Sequence, residues 1–197
     1  MSSQTAGPTQ PRAPRPGPDD AVRAARALLD RGERVDVLAV ARELGVSRAT
    51  VHRWFGTRDD LMRAVFEQLT GEFVAQARAT AMGAGDELLF DVLRRLAAIS
   101  AAYEPMRVAS AREPGLTLQL ILDPDGPVYG HVLGAVTALA AATRPPAQMT
   151  RLAPTLDTFV SSSVALHWAT IAGGREPDPQ RYEDIGRALL AWTEQRT

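Results

Sequence analysis

The chain has 197 residues, 45% of them hydrophobic, so it can bury the core of one large domain or two small ones. It contains no cysteine, which excludes disulfides, thiolate metal sites and a cysteine nucleophile. The sequence shows neither a signal peptide nor an apolar run of the ~20 residues that a membrane helix requires, so we expect a cytoplasmic protein that does not enter a membrane.

Charge is distributed unevenly along the chain, although the net charge is only −1. Residues 1–58 hold ten arginines and six acidic residues, whereas residues 59–197 hold twelve arginines and seventeen acidic residues. A surface that contacts DNA needs an excess of positive charge. The N-terminal third is therefore the part of the chain that we expect to bind nucleic acid.

The first 18 residues contain five prolines and almost no large apolar side chain. Such a segment cannot bury enough surface to offset the entropy lost on ordering, so residues 1–18 are predicted to form a disordered arm. Arg12 and Arg15 would suit a DNA minor groove, as in other proteins with basic arms. A solvated tail is the interpretation that we prefer.

Three short helical segments follow the arm, near residues 19–32, 36–45 and 48–55. Gly45 supplies the left-handed conformation that ends the second segment, and Ser47 caps the third. A fourth helix opens with a capping box at Thr57–Asp60. Six more helices are predicted near residues 86–103, 105–111, 115–122, 126–143, 148–172 and 178–194. No segment alternates with period two, so the predicted fold class is all-α.

The second and third segments have the spacing of a helix-turn-helix. Apolar residues fall where two steeply crossing helices pack, and Ala41 is small enough for a close crossing. The opposite face of the third segment carries cations, small residues and hydrogen-bond donors. This pattern favours a DNA-binding motif, and an ordinary amphipathic hairpin with a solvated charged face is the alternative.

Residues 38–61, LAVARELGVSRATVHRWFGTRDDL, resemble the signature of TetR-family transcription regulators. With the first helix, the resemblance covers roughly residues 20–67. It implies an all-α homodimer of about nine helices, with a three-helix DNA-binding domain at residues 19–57 and a ligand-binding and dimerisation domain at residues 58–197. The R-W-F-G variant at residues 53–56 is similar to a QsdR-like actinobacterial subgroup that includes lactone-responsive regulators.

The resemblance also implies residues that contact double-stranded DNA. Arg48 would contact a phosphate or base edge, Arg53 would set base specificity, and Arg58 would hold a phosphate beside the fourth helix. The remaining contacts would come from Ser47, Ala49, His52 and Trp54. His52, Trp54 and Gly56 depart from the common family residues, which changes the expected operator sequence but not the binding.

Two further sets of residues are predicted in the C-terminal domain. The candidates for contact with a small-molecule effector are aromatic, histidine and aliphatic residues: Tyr103, Leu120, Tyr129, His131, Leu133, Phe159, His167 and Trp168. The final two helices fit a dimerisation pair, and an apolar stripe at helical spacing marks the last one. The predicted dimer residues are Leu156, Ile185, Leu189 and Trp192. The alternative for both sets is ordinary intramolecular core.

Two other function classes compete with a ligand-responsive repressor. An enzyme is disfavoured because the three histidines lie on separate helices and no zinc, P-loop, nucleophile-elbow or dinucleotide motif is present. We accordingly expect no metal and no cofactor. The second alternative is a DNA-binding regulator that is controlled by a protein partner or acts without ligand, and this alternative predicts a filled core instead of a pocket.

Overall fold

The computed structural model describes residues 15–195, so most of the predicted arm at residues 1–18, with Arg12, lies outside the described residues. Within residues 15–195 the chain forms only helices, with no strand, so the predicted all-α fold is confirmed. The helices are α1 (Pro18–Asp30), α2 (Val37–Leu44), α3 (Arg48–Phe55), α4 (Arg58–Thr80), α5 (Asp86–Ala102), α6 (Glu104–Arg112), α7 (Pro114–Ile121), α8 (Pro127–Ala141), α9 (Pro146–Ala172) and α10 (Pro179–Gln195). None of these helices is both long enough and apolar enough to cross a membrane.

Local capping chemistry fixes the ends of the first four helices. The Asp36 carboxylate accepts from the backbone N–H of Ala39 at the start of α2, and Gly45 ends α2 with φ of 64°. The Ser47 hydroxyl caps α3, and Thr57 and Asp60 form the predicted capping box of α4. These side chains satisfy backbone donors that have no partner inside the helix.

Proline sets the starts of the later helices. Each of α6 to α10 has a proline in its first turn, where the missing N–H costs no hydrogen bond. Helices α5 to α10 therefore begin and end within two residues of the predicted bounds. The structure describes ten helices, whereas the resemblance implies about nine, because the chain breaks at Glu113–Pro114 and divides α6 from α7.

Two clusters of buried apolar side chains form the core. The N-terminal cluster joins α1–α4 to residues from α6, α7 and α9, among them Met106, Leu120 and Trp168. The C-terminal cluster lies between α5, α8, α9 and α10. The N-terminal cluster crosses the predicted domain boundary at residue 58, because the first half of α4 packs against α1–α3. Helices α1–α3 and the C-terminal helices thus share one apolar cluster.

Helix α10 lies very close to α5 and α9 at Gly186. A Cβ atom at this position would lie 2.5 Å from Phe90 Cε1 and 2.9 Å from Phe159 Cζ. Contacts this short are far inside van der Waals distance, so the packing requires glycine here.

Candidate DNA-binding surface and effector cavity

Helix α3 divides into an inward and an outward face. Val51 is fully buried under α1, α2 and α4, which holds the helix against the N-terminal cluster. The Ser47 hydroxyl accepts from Thr50 N at 3.1 Å and fixes where the helix starts. The outward face presents four predicted DNA contacts, all exposed: Arg48, Ala49, His52 and Arg53. The resulting surface has the charge and the small-residue spacing that a recognition helix requires.

Trp54 and Arg58, two of the predicted DNA contacts, also make contacts inside the protein. Trp54 is half-buried against the N-terminal cluster, so much of its ring has a packing role. The Arg58 Nε donates to the carbonyl of Val35 at 2.6 Å. Its two terminal nitrogens donate to the Glu113 carboxylate at 2.7 and 3.0 Å. A phosphate contact by Arg58 therefore has to compete with an internal ion pair.

A shallow groove lies between the N-terminus of α2 and the outward face of α3. It brings three of the predicted DNA contacts onto one surface, beside the exposed side chain of Leu38. The residues that form it are Asp36, Val37, Leu38, Arg48, His52, Thr57 and Arg58. The N-termini of α2 and α4 both open onto this groove, and helix N-termini favour phosphate groups.

A largely apolar cavity lies further along α4, between that helix and α5–α10. About 80 Å³ of its interior is open to the centres of water-sized molecules, whereas one water requires roughly 10–15 Å³ by this measure. Helix α4 contributes Phe66, Thr70 and Phe73, and α9 contributes the largest share of the wall. A small cavity with apolar walls and a few polar groups is the usual form of a ligand site.

Three of the eight residues predicted to contact an effector line this cavity: Phe159, His167 and Trp168, all on α9. The other five do not line it. Helix α8 presents Val128 and Val132 to the cavity instead of Tyr129, His131 and Leu133, since neighbouring positions point about 100° apart around a helix. Burial, together with the hydrogen bond that the Tyr129 hydroxyl donates to the Asp157 carboxylate at 2.6 Å, raises the pKa of Tyr129 to about 12.

Tyr103, Leu120 and His131 have other structural partners. The Tyr103 hydroxyl donates to the Asp30 carboxylate on α1, and its ring contacts Phe73 edge-on. Leu120 is fully buried in the N-terminal cluster, while its neighbour Ile121 reaches the cavity. His131 is exposed and its Nδ1 lies 2.7 Å from the Pro127 carbonyl.

His167 is the most strongly perturbed group in the cavity wall. Its side chain is only 5% exposed, and burial lowers its pKa to about 4, so the ring is neutral at physiological pH. Its Nε2 lies 3.0 Å from the Ser100 hydroxyl on α5. The rings of Trp168 and Tyr182 flank the imidazole at centroid distances of 5.3 and 5.8 Å.

The fold agrees with comparisons to known proteins. The sequence profile described as "Bacterial regulatory proteins, tetR family" matches residues 22–65, and the profile "Tetracyclin repressor-like, C-terminal domain" matches residues 84–191. The chain belongs to the TetR family. It is therefore a DNA-binding transcription regulator with the TetR-family repressor fold, and α1–α3 are its helix-turn-helix domain.

Solved structures share this TetR fold at low sequence identity. The repressor QsdR from R. erythropolis is 23% identical, with a TM-score of 0.75, and the match covers 88% of this chain and 94% of that one. AlkX from Dietzia sp. strain DQ12-45-1b, a repressor implicated in the biodegradation of n-alkanes, is 20% identical with a TM-score of 0.60, over 90% and 95% of the two chains. A TetR-family regulator from Streptomyces coelicolor is 18% identical with a TM-score of 0.56, over 91% and 82%. No curated protein matches the sequence significantly.

The four dimer residues predicted for this TetR-family chain differ in accessibility. Leu156 is 1% exposed and packs inside the C-terminal cluster, so this chain does not present it on its surface. Ile185 and Leu189 are half-buried at the edge of the same cluster. Trp192 is 54% exposed near the end of α10. The accessible part of the predicted face is therefore the outer side of α10.

Sequence reasoning missed the contributions of α4 and α5 to the cavity. Phe66 and Phe73 on α4, and Leu93, Leu96 and Ser100 on α5, line it. Their apolar periodicity is identical to that of ordinary core helices, so the sequence carried no signal that separates a cavity wall from a filled core. Over residues 15–195, no group of three or more His, Asp or Glu side chains is placed to hold a metal ion.

Proposed function

We propose that the chain is a ligand-responsive transcriptional repressor that binds a palindromic operator as a homodimer. A small apolar or amphipathic effector enters the cavity between α4 and α10 and releases the DNA. A lactone is one effector class that the sequence resemblance suggests. Because the target is the chromosome, the protein acts in the cytoplasm.

The observation that carries this proposal is the course of α4. Its first residue, Arg58, borders the groove beside the recognition helix, and its middle residues, from Phe66 to Phe73, form a wall of the cavity. One continuous helix therefore touches both sites. An effector that favours a different tilt of α4 changes the position of α3, and it acts through its different affinities for the two geometries.

Polar contacts also join the helix-turn-helix to the sensor helices. Arg58 binds Glu113 at the α6–α7 junction, and Arg112 donates to the Gly32 carbonyl at 3.0 Å. Tyr103, at the end of α5, binds Asp30 on α1. The C-terminal ends of α5 and α6 are thus fastened to the α1 end of the loop between α1 and α2. A rearrangement around the cavity has a direct route to the DNA-binding domain.

The outer faces of α9 and α10 would pair with the same faces of a second copy. Ile185, Leu189 and Trp192 provide apolar area on α10, and such a two-helix face completes a four-helix bundle around a two-fold axis. A symmetric dimer places two recognition helices about 34–36 Å apart, one turn of the double helix, and so requires a palindromic operator.

A genome-wide selection of bound duplexes, made with the purified full chain at two salt concentrations, tests this function. We expect a palindromic consensus with a steep salt dependence, because arginines that neutralise phosphates release counterions. Absence of enrichment over random DNA would contradict the proposal and favour a regulator that requires a protein partner. An effector that binds without changing operator affinity would contradict the coupling through α4 and favour a regulator that acts without ligand.

A further inference from the structure

Two buried polar atoms in the cavity wall have no hydrogen-bond partner in the protein. They are Ser163 Oγ and His167 Nδ1, and both residues line the cavity from α9. The two residues are four positions apart, so their side chains lie on one face, about 5–6 Å apart at Cβ. A buried polar group without a partner is costly, and at a cavity wall a ligand can supply that partner.

We infer the protonated nitrogen of His167 from the hydrogen bonds around the ring. The Ser100 hydroxyl has one hydrogen, and it donates that hydrogen to the Ala97 carbonyl at 3.1 Å. With the Ser100 hydrogen assigned to the Ala97 carbonyl, we assign Nε2 as the donor in its contact of 3.0 Å with Ser100 Oγ. A neutral imidazole carries one N–H, so Nδ1 is left as an acceptor with a free lone pair.

The rest of the lining excludes charged ligands. Apart from Thr70, Ser100 and Tyr182, its walls are aliphatic and aromatic, from Phe66 on α4 to Val160 on α9, and no Asp, Glu or Arg contributes to them. An ionic ligand would leave its charge unpaired in an apolar surrounding, which is strongly unfavourable. The cavity thus accepts a neutral molecule with one small polar group.

We propose that the effector is a neutral, mainly apolar molecule carrying a hydroxyl group, which donates to His167 Nδ1 and accepts from the Ser163 hydroxyl. This inference rests on the proposed function only in taking the cavity as the effector site. A hydroxyl is the simplest neutral group that both donates and accepts. A ketone, ester or lactone oxygen only accepts, so it would satisfy Ser163 and leave His167 Nδ1 without a donor.

A matched set of eight-carbon probes tests this inference by calorimetry and thermal shift on the purified full chain. The set is 2-octanol, 2-octanone, γ-octalactone and octane. We expect 2-octanol to bind about tenfold more tightly than 2-octanone, a ratio that one or two hydrogen bonds supply. Equal or tighter binding of the ketone or the lactone would overturn the hydroxyl assignment, as would binding of none of the probes.

Two variants test whether the preference for the alcohol depends on Ser163 Oγ and His167 Nδ1. Ser163→Ala removes one partner, and His167→Gln keeps an N–H donor for Ser100 while removing the acceptor at Nδ1. We expect each to reduce the ratio of alcohol to ketone affinity severalfold, with octane binding unchanged. Ser162→Ala, an exposed neighbour on the same helix, is the matched control and should keep the full ratio. A ratio that survives in both cavity variants would overturn the proposal.

Operator binding is measured on the same preparations to separate the two proposals. If the palindrome is bound but the alcohol preference is absent, the hydroxyl inference fails and the repressor function stands. If the alcohol preference is present but no palindrome is bound, the cavity chemistry stands and the repressor function fails.

Discussion

Arg58 and Glu113 form a two-pronged ion pair that links the first residue of α4 to the junction between α6 and α7. The two terminal nitrogens of the guanidinium lie 2.7 and 3.0 Å from the two carboxylate oxygens, and both side chains are about three-quarters buried. Arg34 approaches the same carboxylate at 3.4 Å. A residue that the family resemblance assigns to DNA phosphate is therefore held by a carboxylate at the α6–α7 junction.

Glu113→Gln should strengthen binding to every duplex and steepen the salt dependence by a fraction of one unit, because Arg58 then neutralises its phosphate without competition from the carboxylate. Fluorescence anisotropy with operator and random duplexes over a range of salt measures both effects. Glu104→Gln removes the same charge from the exposed start of α6 and serves as the control. Equal changes in the two variants would point to net charge and contradict the competition.

Arg53→Ala and Arg58→Ala should change DNA binding in different ways. Arg53 is exposed on the outward face of α3, so its loss should remove about 1–3 kcal/mol of discrimination at one base pair. Arg58→Ala should weaken all duplexes alike and flatten the salt slope by about one unit. Binding to a panel of single-base operator variants separates the two effects, and identical profiles for the two variants would refute this division of roles.

Gly186→Ala should destabilise the protein by about 1–3 kcal/mol, because the new Cβ would collide with Phe90 and Phe159. Gly134→Ala is the matched control, since its Cβ meets no atom within 4 Å on α8 and alanine favours the helix. The control should gain up to about 1 kcal/mol. Urea unfolding of both variants measures the difference, and an unchanged Gly186→Ala midpoint would show that α10 packs less closely than described.

Stability should fall as the pH drops from about 6.5 to 4, with a contribution from His167 of at most about 1.4 kcal/mol per pH unit. Burial lowers the pKa of His167 to about 4, so in this window the unfolded chain binds a proton that the folded chain does not. Stability therefore falls with falling pH, because protonation favours the unfolded state. The ring contacts Ser100, Trp168 and Tyr182, none of which carries a charge at neutral pH.

His167→Gln should have a flatter pH dependence of the unfolding free energy over the same window. His131→Gln, which changes an exposed histidine on α8, should keep the slope of the natural protein. A His167→Gln slope that matches the natural protein would assign the acid sensitivity to other groups.

The sequence predicted the helices well because their ends depend on local chemistry. Ser47, Gly45 and the proline at the start of each later helix act within a few residues, so their effect can be read without knowing the fold. The outward face of α3 was predictable for the same reason, since the exposed Ala49 and Arg53 each lie two positions, or about 200° around the helix, from the buried Val51.

The cavity wall was less predictable because it depends on how whole helices are rotated. On α8 the choice of Tyr129 instead of Val128 differs by one position and moves the side chain about 100° away from the cavity. On α9, Leu156 faces the core of its own subunit, although its position in an apolar helix fits an interface equally well. The Arg58–Glu113 pair joins residues 55 positions apart, and no local pattern indicates it.

The length of α4 determines how far its first residue, beside the DNA-binding surface, moves when the helix rotates near the cavity. Its 23 residues span about 34 Å at 1.5 Å per residue, and Phe66 lies eight residues, or about 12 Å, from Arg58. A pivot near the cavity that turns the helix by about 10° moves its first residue by roughly 2 Å on this geometry. Each subunit of a symmetric dimer would contribute such a displacement. A small effector would then change the separation of the two recognition helices by a distance comparable to the spacing of one base pair.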